Sequence, residues 1–219
     1  MSSPVLQKIF TVKTNLLKNN VSHHISFVTP DIAWVTSWNN LKLTNTEGDN
    51  LHYLDDKYYN DCAHTVTGEG TLVYIDRYYN INKLSDNETK SILMSKTEPW
   101  IPYCIFCSPL NGDFLIGMRR EDKLIAKVGR YNSKGQELVH SPDQGLYQST
   151  RCITENQNRD VIVAENIFGS GVLVVTDSTG THRFSYKGNQ RKLKFEPHGI
   201  CTDALSHILA CDGYTKKCR

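Results

Sequence analysis

CITENQNRDVIVAE, residues 152–165, packs a short apolar strand, a polar turn and a second apolar strand into one stretch. The same text returns in CIFCSPLNGDFLIGM at 104–118 and in ICTDALSHILACD at 200–212. Anchored on Ile105, Ile153 and Ile200, the copies step by 48 and 47 residues. Two looser copies lie upstream, ISFVTPDIAWVTSW from 25 and HTVTGEGTLVYIDR from 64. The second runs end near Asp76, Gly117, Glu165 and Asp212, spaced 41, 48 and 47 residues apart. Such a period is the first thing a fold must explain.

A second motif follows each of the first four copies: LKLTNTEGDNLHYL (41–54), INKLSDNETKSIL (81–93), IAKVGRYNSKGQELV (125–139) and VLVVTDSTGTHRFSY (172–186). In each, alternating apolar residues flank a polar tip with Asn, Asp or Gly, the signal for a hairpin. Each unit therefore holds two hairpins, or four strands a to d. No stretch offers a capped helical run of three turns, so the chain reads as all-β. Four-stranded units at this period are β-propeller blades, because an isolated four-stranded sheet cannot bury both faces whereas radially stacked sheets can. A β-sandwich and a β-helix are the rivals, and neither explains two hairpins per period. The blades fall at about 23–61, 62–102, 103–150, 151–197 and, in part, 198–219. Residues 1–22 form a leading strand (Val5–Thr14) and linker. Strands a and b belong near the centre and the more polar strand d at the rim.

Composition agrees with a folded chain. Of 219 residues, 39% are hydrophobic and 22% charged, outside the disordered range. No apolar run reaches the ~18 residues of a membrane span, and MSSPVLQKIFTVKTNLL lacks the apolar core of a signal peptide. A cytoplasmic chain with no membrane partner is the expectation, with the sequons at Asn20 and Asn87 idle. Seven cysteines (62, 104, 107, 152, 201, 211, 218) at irregular spacing argue against a disulfide framework and predict reduced thiols buried in strands. Charge is uneven: residues 29–115 carry −6 and residues 116–219 carry +5.

With the blades laid out, the unit Pro197-His198-Gly199-Ile200 … Ile208-Leu209-Ala210-Cys211-Asp212 resembles an NHL repeat. NLKLTNTEGDNLHYL, VYIDRYYNINKLS, ITENQNRDVIVAE and HGICTDALSHILACD are together similar to the C-terminal propellers of tripartite-motif NHL proteins, in particular a group expanded in molluscs. The likeness runs from about Val5 to Thr215. It implies a six-bladed NHL ring, of which this chain would be an open arc of about four and a half blades, some 60–70 residues short at ~45 per blade. It also implies the recognition part of a ubiquitin ligase. Ligase activity would need a RING finger, and this sequence has neither paired Cys/His zinc-finger spacing nor a heptad run.

Other chemistries have weaker signals in this sequence. Cys104-Ile105-Phe106-Cys107 is a lone CxxC whose cysteines, three apart in a strand, point to opposite faces. Gly169-Ser170-Gly171 has the wrong pattern for a nucleophile elbow, and His23-His24 reads as the start of a strand. Asp76, Glu165 and Asp212 recur at strand b ends, which permits a calcium-dependent propeller hydrolase. Equally, such residues accept backbone hydrogen bonds at turns. The expectation is a non-enzyme with no metal site and no cofactor.

The architecture sorts the basic residues. In a blade, the b–c and d–a connections leave from one face. Arg119, Arg120 and Lys123 fall in the third blade's b–c loop, Lys187, Arg191, Lys192 and Lys194 in the d–a loop after the fourth, and Lys216 and Lys217 in the last b–c loop. Trp38, Tyr78, Tyr79, Trp100 and Tyr214 map near the same face. Cations beside aromatics suit contact with phosphates and unpaired bases, or an ordinary protein interface. The acidic half weighs against uniform nucleic-acid binding. The primary reading is therefore a non-catalytic protein-binding module. Single-stranded RNA is the second reading, and no DNA binding is expected.

Overall fold

The computed structural model describes residues 22–37, 40–55, 62–85, 89–96, 98–120, 122–140, 145–167, 169–188, 194–215 and 217–218. The first antiparallel sheet holds β1 (Ser22–Thr29), β2 (Ile32–Ser37), β3 (Asn40–Asn45) and β4 (Asn50–Leu54). The second holds β5 (His64–Val66), β6 (Leu72–Ile75), β7 (Ile81–Leu84) and β8 (Lys90–Met94). The third holds β9 (Trp100–Cys107), β10 (Phe114–Arg120), β11 (Ala126–Tyr131) and β12 (Glu137–His140). The fourth holds β13 (Cys152–Glu155), β14 (Val161–Ile167), β15 (Ser170–Thr176) and β16 (His182–Tyr186). The fifth holds β17 (Pro197–Thr202), β18 (Ile208–Asp212) and β19 (Lys217–Cys218). Every sheet runs in simple sequence order, and the innermost strands β1, β5, β9, β13 and β17 neighbour one another in turn, with β1 also approaching β17. The chain is an all-β propeller. The fifth sheet goes one strand further than the two expected, which moves Lys217 out of the b–c loop and into β19. The lone strand expected at Val5–Thr14 lies outside the described residues.

One turn builds most of the hairpins. At 45–49, 67–71, 76–80, 132–136, 156–160, 177–181 and 203–207, the first residue's N–H donates to the fifth residue's carbonyl, and its own carbonyl accepts from the fourth residue's N–H. Each first residue is Asn, Asp or Thr, and its side-chain oxygen takes the fifth residue's N–H. The fourth residue has positive φ in all seven: Gly at 48, 70, 135 and 180, and Tyr79, Arg159 and Ser206 elsewhere. This is the three-residue hairpin loop with a bulge, whose left-handed position favours glycine. The side chain supplies the hydrogen bond that the bulge withholds from the ladder.

Between sheets lie the apolar layers. Along β9, alternation sends Cys104 into a cluster with Leu115, Tyr147, Ile153 and Val163, while Ile105 and Cys107 enter another with Ile75, Ile81 and Phe114. The two cysteines thus sit on opposite faces of one sheet, as their spacing predicts. Trp34, Leu41, Leu72, Tyr74 and Leu84 fill the layer between the first and second sheets. Strand b residues are buried throughout β6 and in the first five positions of both β10 and β14, while every residue of the outer strand β16 is exposed.

The cysteines correct the sequence reading. Cys62 and Cys152 form a disulfide with a sequence separation of 90, joining the heads of the inner strands of the second and fourth sheets. β9 runs beside the cross-link, its Ile105 N–H donating to the Cys62 carbonyl (3.0 Å). Spacing along the chain could not show this pair, because the radial fold brings the starts of alternate inner strands together. Cys104 and Cys107 are free and buried, and burial pushes their thiols up to about 12 and about 11.

On the a–b hairpin side, Arg130 of β11 donates to Glu155 at the end of β13, and Ser108 Oγ donates to the carboxylate's other oxygen. Asp113 lies 3.5 Å from the same guanidinium, and Arg130 and Glu155 are both buried. The seam between the fourth and fifth sheets is tighter still. Gly171 N–H donates to the Phe195 carbonyl (2.8 Å), and a Cβ there would stand 2.2 Å from that oxygen and from Pro197 Cδ.

Two substitutions test these seams. Glu155→Ala leaves the buried guanidinium with only the longer 3.5 Å approach of Asp113 and is expected to lower unfolding free energy by about 3 kcal/mol, read from urea denaturation. Gly171→Ala forces backbone apart and is expected to cost about 3 kcal/mol, whereas Gly112→Ala, with nothing within 4 Å of the added carbon, tests only its positive φ and should cost about 1–2 kcal/mol.

Candidate functional site

On the face where b–c and d–a connections emerge, a groove of about 580 Å³ opens between the third and fourth blades. The end of β10 contributes Arg119 and Arg120, which sit in the ladder opposite Ala126 and Trp100 and not in the b–c loop expected for them, and the turn that follows contributes Asp122, Lys123 and Leu124. The d–a segment before β13 contributes Gln148 and Ser149, and the end of β14 contributes Asn166 and Ile167. The end of β10 and the loop after it are therefore the part of the expected basic patch that the fold gathers into a cleft.

Its charges are held, not loose. Arg120 pairs with Asp122 through Nε and Nη2 (2.8 and 2.7 Å), which holds the Asp122 carboxyl below its usual range. The Arg119 guanidinium lies 4.6 Å over the Tyr103 ring. Trp100 carries Arg120 at 5.9 Å and Lys127 at 4.8 Å, so cations already occupy the indole expected to stack bases. Tyr79 sits under Lys96 at 5.6 Å. Tyr78 and Tyr214 are 66% and 50% exposed, but they belong to the b–c turns of the second and fifth blades, outside the groove lining. Lys187 and Lys194 are exposed on the following d–a segment, also outside it. Trp38, Arg191, Lys192 and Lys216 lie outside the described residues, as does the side chain of Lys217.

Beneath the groove, Glu165 ends the buried part of β14. Its Oε1 accepts the N–H groups of Gln148 (2.9 Å) and Ser149 (3.0 Å), the two residues that form one wall. Burial pushes this carboxyl up to about 7, against those two hydrogen bonds. The equivalent acids behave differently. At Asp76, burial acts upward, but hydrogen bonds from the Asn80 backbone, the Asn82 and Asn80 amides and the Tyr78 backbone outweigh it and hold the carboxyl low. At Asp212, donors from Thr215, Glu196 and Tyr214 do the same. All three recurring acids thus tie blade connections to strand b ends. They do not converge: among the described residues, the one set of three or more His, Cys, Asp or Glu ligand atoms within 4.8 Å of one another is His24, Cys62 and Cys152. The carboxylates that permitted a calcium-dependent hydrolase are not assembled as a metal site.

Sequence reasoning missed the depth of this groove, because Gln148, Ser149 and Asn166 carry no charge signal. Asn166, two residues past the end of its apolar run, was the one available hint. His24, read from the sequence only as part of a strand start, is the third residue of β1.

No protein-family model and no curated protein matches the sequence. Solved structures do resemble it. A gluconolactonase from Xanthomonas campestris is 13% identical, covering 89% of this chain and 70% of its own, with a TM-score of 0.69. The virginiamycin B lyase from Staphylococcus aureus is 16% identical, covering 93% and 70%, at 0.60. The Dos1 propeller is 11% identical, covering 92% and 56%, at 0.59. The chain spans little more than half of the Dos1 propeller. These likenesses show the β-propeller fold. No helix among the described residues is long and apolar enough to cross a membrane.

Glu165 gives the groove a pH signature. Its folded pKa, about 7, lies above the ordinary 4.5, so the stability it contributes is full below about pH 4.5 and lost as pH rises through 7. Glu165→Gln keeps both accepted N–H groups and cannot ionise. Its stability relative to the native protein is expected to rise between pH 5 and pH 8 by roughly 2–3 kcal/mol, measured by urea denaturation at each pH. A flat difference would show that the carboxyl is not buried as described.

Proposed function

We propose that this chain is a non-catalytic recognition module whose groove between the third and fourth blades takes a segment of a protein partner. The observation that carries the reading is the lining itself: Arg119, Arg120 and Lys123 stand beside Leu124, which is 68% exposed, and the Gln148, Ser149 and Asn166 side chains. Cations, amides and an exposed aliphatic side chain in one concave site suit an extended segment carrying carboxylates next to an apolar residue. In the finer form of the proposal, the propeller derives from the substrate-recognition domain of a tripartite-motif ubiquitin ligase, as the sequence resemblance implies.

RNA fits this groove less well. A single-stranded RNA site would want open aromatic faces beside the cations, yet Trp100 is flanked by Arg120 and Lys127, and Tyr78 and Tyr214 lie on other blades. The gluconolactonase and the lyase share the fold, and the non-catalytic reading rests on the separation of Asp76, Glu165 and Asp212.

The test uses fluorescein-labelled peptides of alternating Glu and Leu, Gln and Leu, and Lys and Leu, alongside a poly-U oligonucleotide. The Glu/Leu peptide is expected to bind best and to lose about tenfold or more in affinity on Lys123→Glu, equivalent to ~1.4 kcal/mol, with Lys187→Glu as the surface control. Preference for poly-U, with a steep salt dependence lost in the same variant, would transfer the site to RNA. Calcium-dependent opening of gluconolactone would overturn the non-catalytic reading.

A further inference from the structure

At the centre of the propeller, three inner strands bring together a set of ligand atoms that the groove does not use. Cys62 Sγ, Cys152 Sγ and one ring nitrogen of His24 lie within 4.8 Å of one another, with both cysteines buried and His24 half-buried. They come from the head of the second blade, the first residue of β13 and the third residue of β1. His24 Nδ1 stands 3.7 Å from Cys62 Sγ. Two donors on one tetrahedral zinc ion, with Zn–S of about 2.3 Å and Zn–N of about 2.05 Å, are themselves about 3.6 Å apart. The imidazole is thus already at ligand spacing from the first sulfur.

The surroundings fit a coordinating histidine. A metal-bound imidazole generally uses its other nitrogen to hold a hydrogen-bond partner that fixes the ring, and His24 Nε2 lies 3.5 Å from Ser26 Oγ. His64 packs edge-on against His24, with centroids 4.7 Å apart. His64 itself is spoken for: Nε2 faces the Trp34 carbonyl at 3.4 Å, which makes it the protonated nitrogen, and Nδ1 then accepts from Thr36 Oγ1 at 3.0 Å. It buttresses His24 from the buried side and leaves three donors, two sulfurs and one nitrogen.

We propose that reduction of the Cys62–Cys152 disulfide converts this cross-link into a zinc(II) site with ligands Cys62, Cys152 and His24 and one open coordination position. Two molecules of a small thiol supply two electrons and two protons. The S–S bond breaks, two cysteine thiols form, and the small thiol leaves as its own disulfide. Zinc then displaces the two thiol protons, and thiolates with imidazole are the donor set that zinc prefers. The centre of the propeller is tied in either state, by a sulfur–sulfur bond when oxidised and by sulfur–zinc–sulfur when reduced, with β1 recruited only in the second.

The test is made in a Cys201→Ser/Cys211→Ser/Cys218→Ser background, which removes the two exposed free thiols among the described side chains and the cysteine near the C-terminus. The oxidised protein and the protein reduced by a phosphine are freed of metal with a chelator and titrated with zinc against a chromophoric indicator. Cobalt(II) serves as the spectroscopic probe. The reduced protein is expected to take up about one equivalent, to show a thiolate-to-cobalt charge-transfer band, and to gain about 5 °C or more in thermal midpoint with excess zinc. The oxidised protein should do none of these. His24→Ala should weaken binding about tenfold or more, and Cys62→Ser should abolish the charge-transfer band's two-thiolate intensity. If the reduced metal-free chain unfolds, zinc added before the reductant must keep it folded. Equal uptake by oxidised and reduced protein, no uptake by either, or unfolding in both arms would overturn the site without touching the groove proposal.

Discussion

A four-stranded sheet has two faces, and covering both is the constraint on which the rest of this molecule depends. β9 displays it in four consecutive residues: Cys104 and Phe106 turn toward the layer shared with the fourth blade, and Ile105 and Cys107 toward the layer shared with the second. Where neighbouring sheets cover both faces, strand b is buried almost end to end, as in β14, while strand d of that blade faces water at every residue and β18 of the fifth sheet keeps exposed positions. The radial arrangement follows from that requirement, and polar side chains buried within strands, such as His64, Asn82, Arg130 and Glu155, are held by hydrogen bonds or charge partners.

Turns then divide the polar work by position. The recurring hairpin loop needs an oxygen at its first residue and a left-handed residue at its fourth, and it is satisfied seven times among the described residues. Asp76 serves one of these loops and therefore has enough donors to stay ionised despite burial. Glu165 stands at the matching strand end without such a loop, receives two N–H groups, and is left with a raised pKa. Identical positions in a repeat thus hold carboxylates of different charge behaviour, and the difference is set by how deeply each is buried and how many donors lie within reach.

The site was legible only in part. The face that carries Arg119, Arg120 and Lys123 was readable, because a period and a strand order suffice to say where a loop emerges, but only Lys123 lies in the loop, the two arginines extending β10 to its edge. The pairing of Arg120 with Asp122, and the stacking of both arginines on Tyr103 and Trp100, depend on side-chain directions that a strand pattern does not carry. Gln148, Ser149 and Asn166 were unreadable for a related reason: uncharged residues gain significance only from the wall they form. The buried Arg130–Glu155 pair was equally hidden, since its partners lie on different blades.

What the sequence alone determined is local. Apolar alternation, turn residues and a period of 41 to 48 residues specify hairpins, their order and the all-β propeller, because each of those signals acts within a few residues of itself. What only the tertiary structure decided is convergent. Cys62 and Cys152 are 90 residues apart, and nothing between them announces their union. They meet because inner strands of alternate blades start close to a common centre, a distance set by packing and not by the chain.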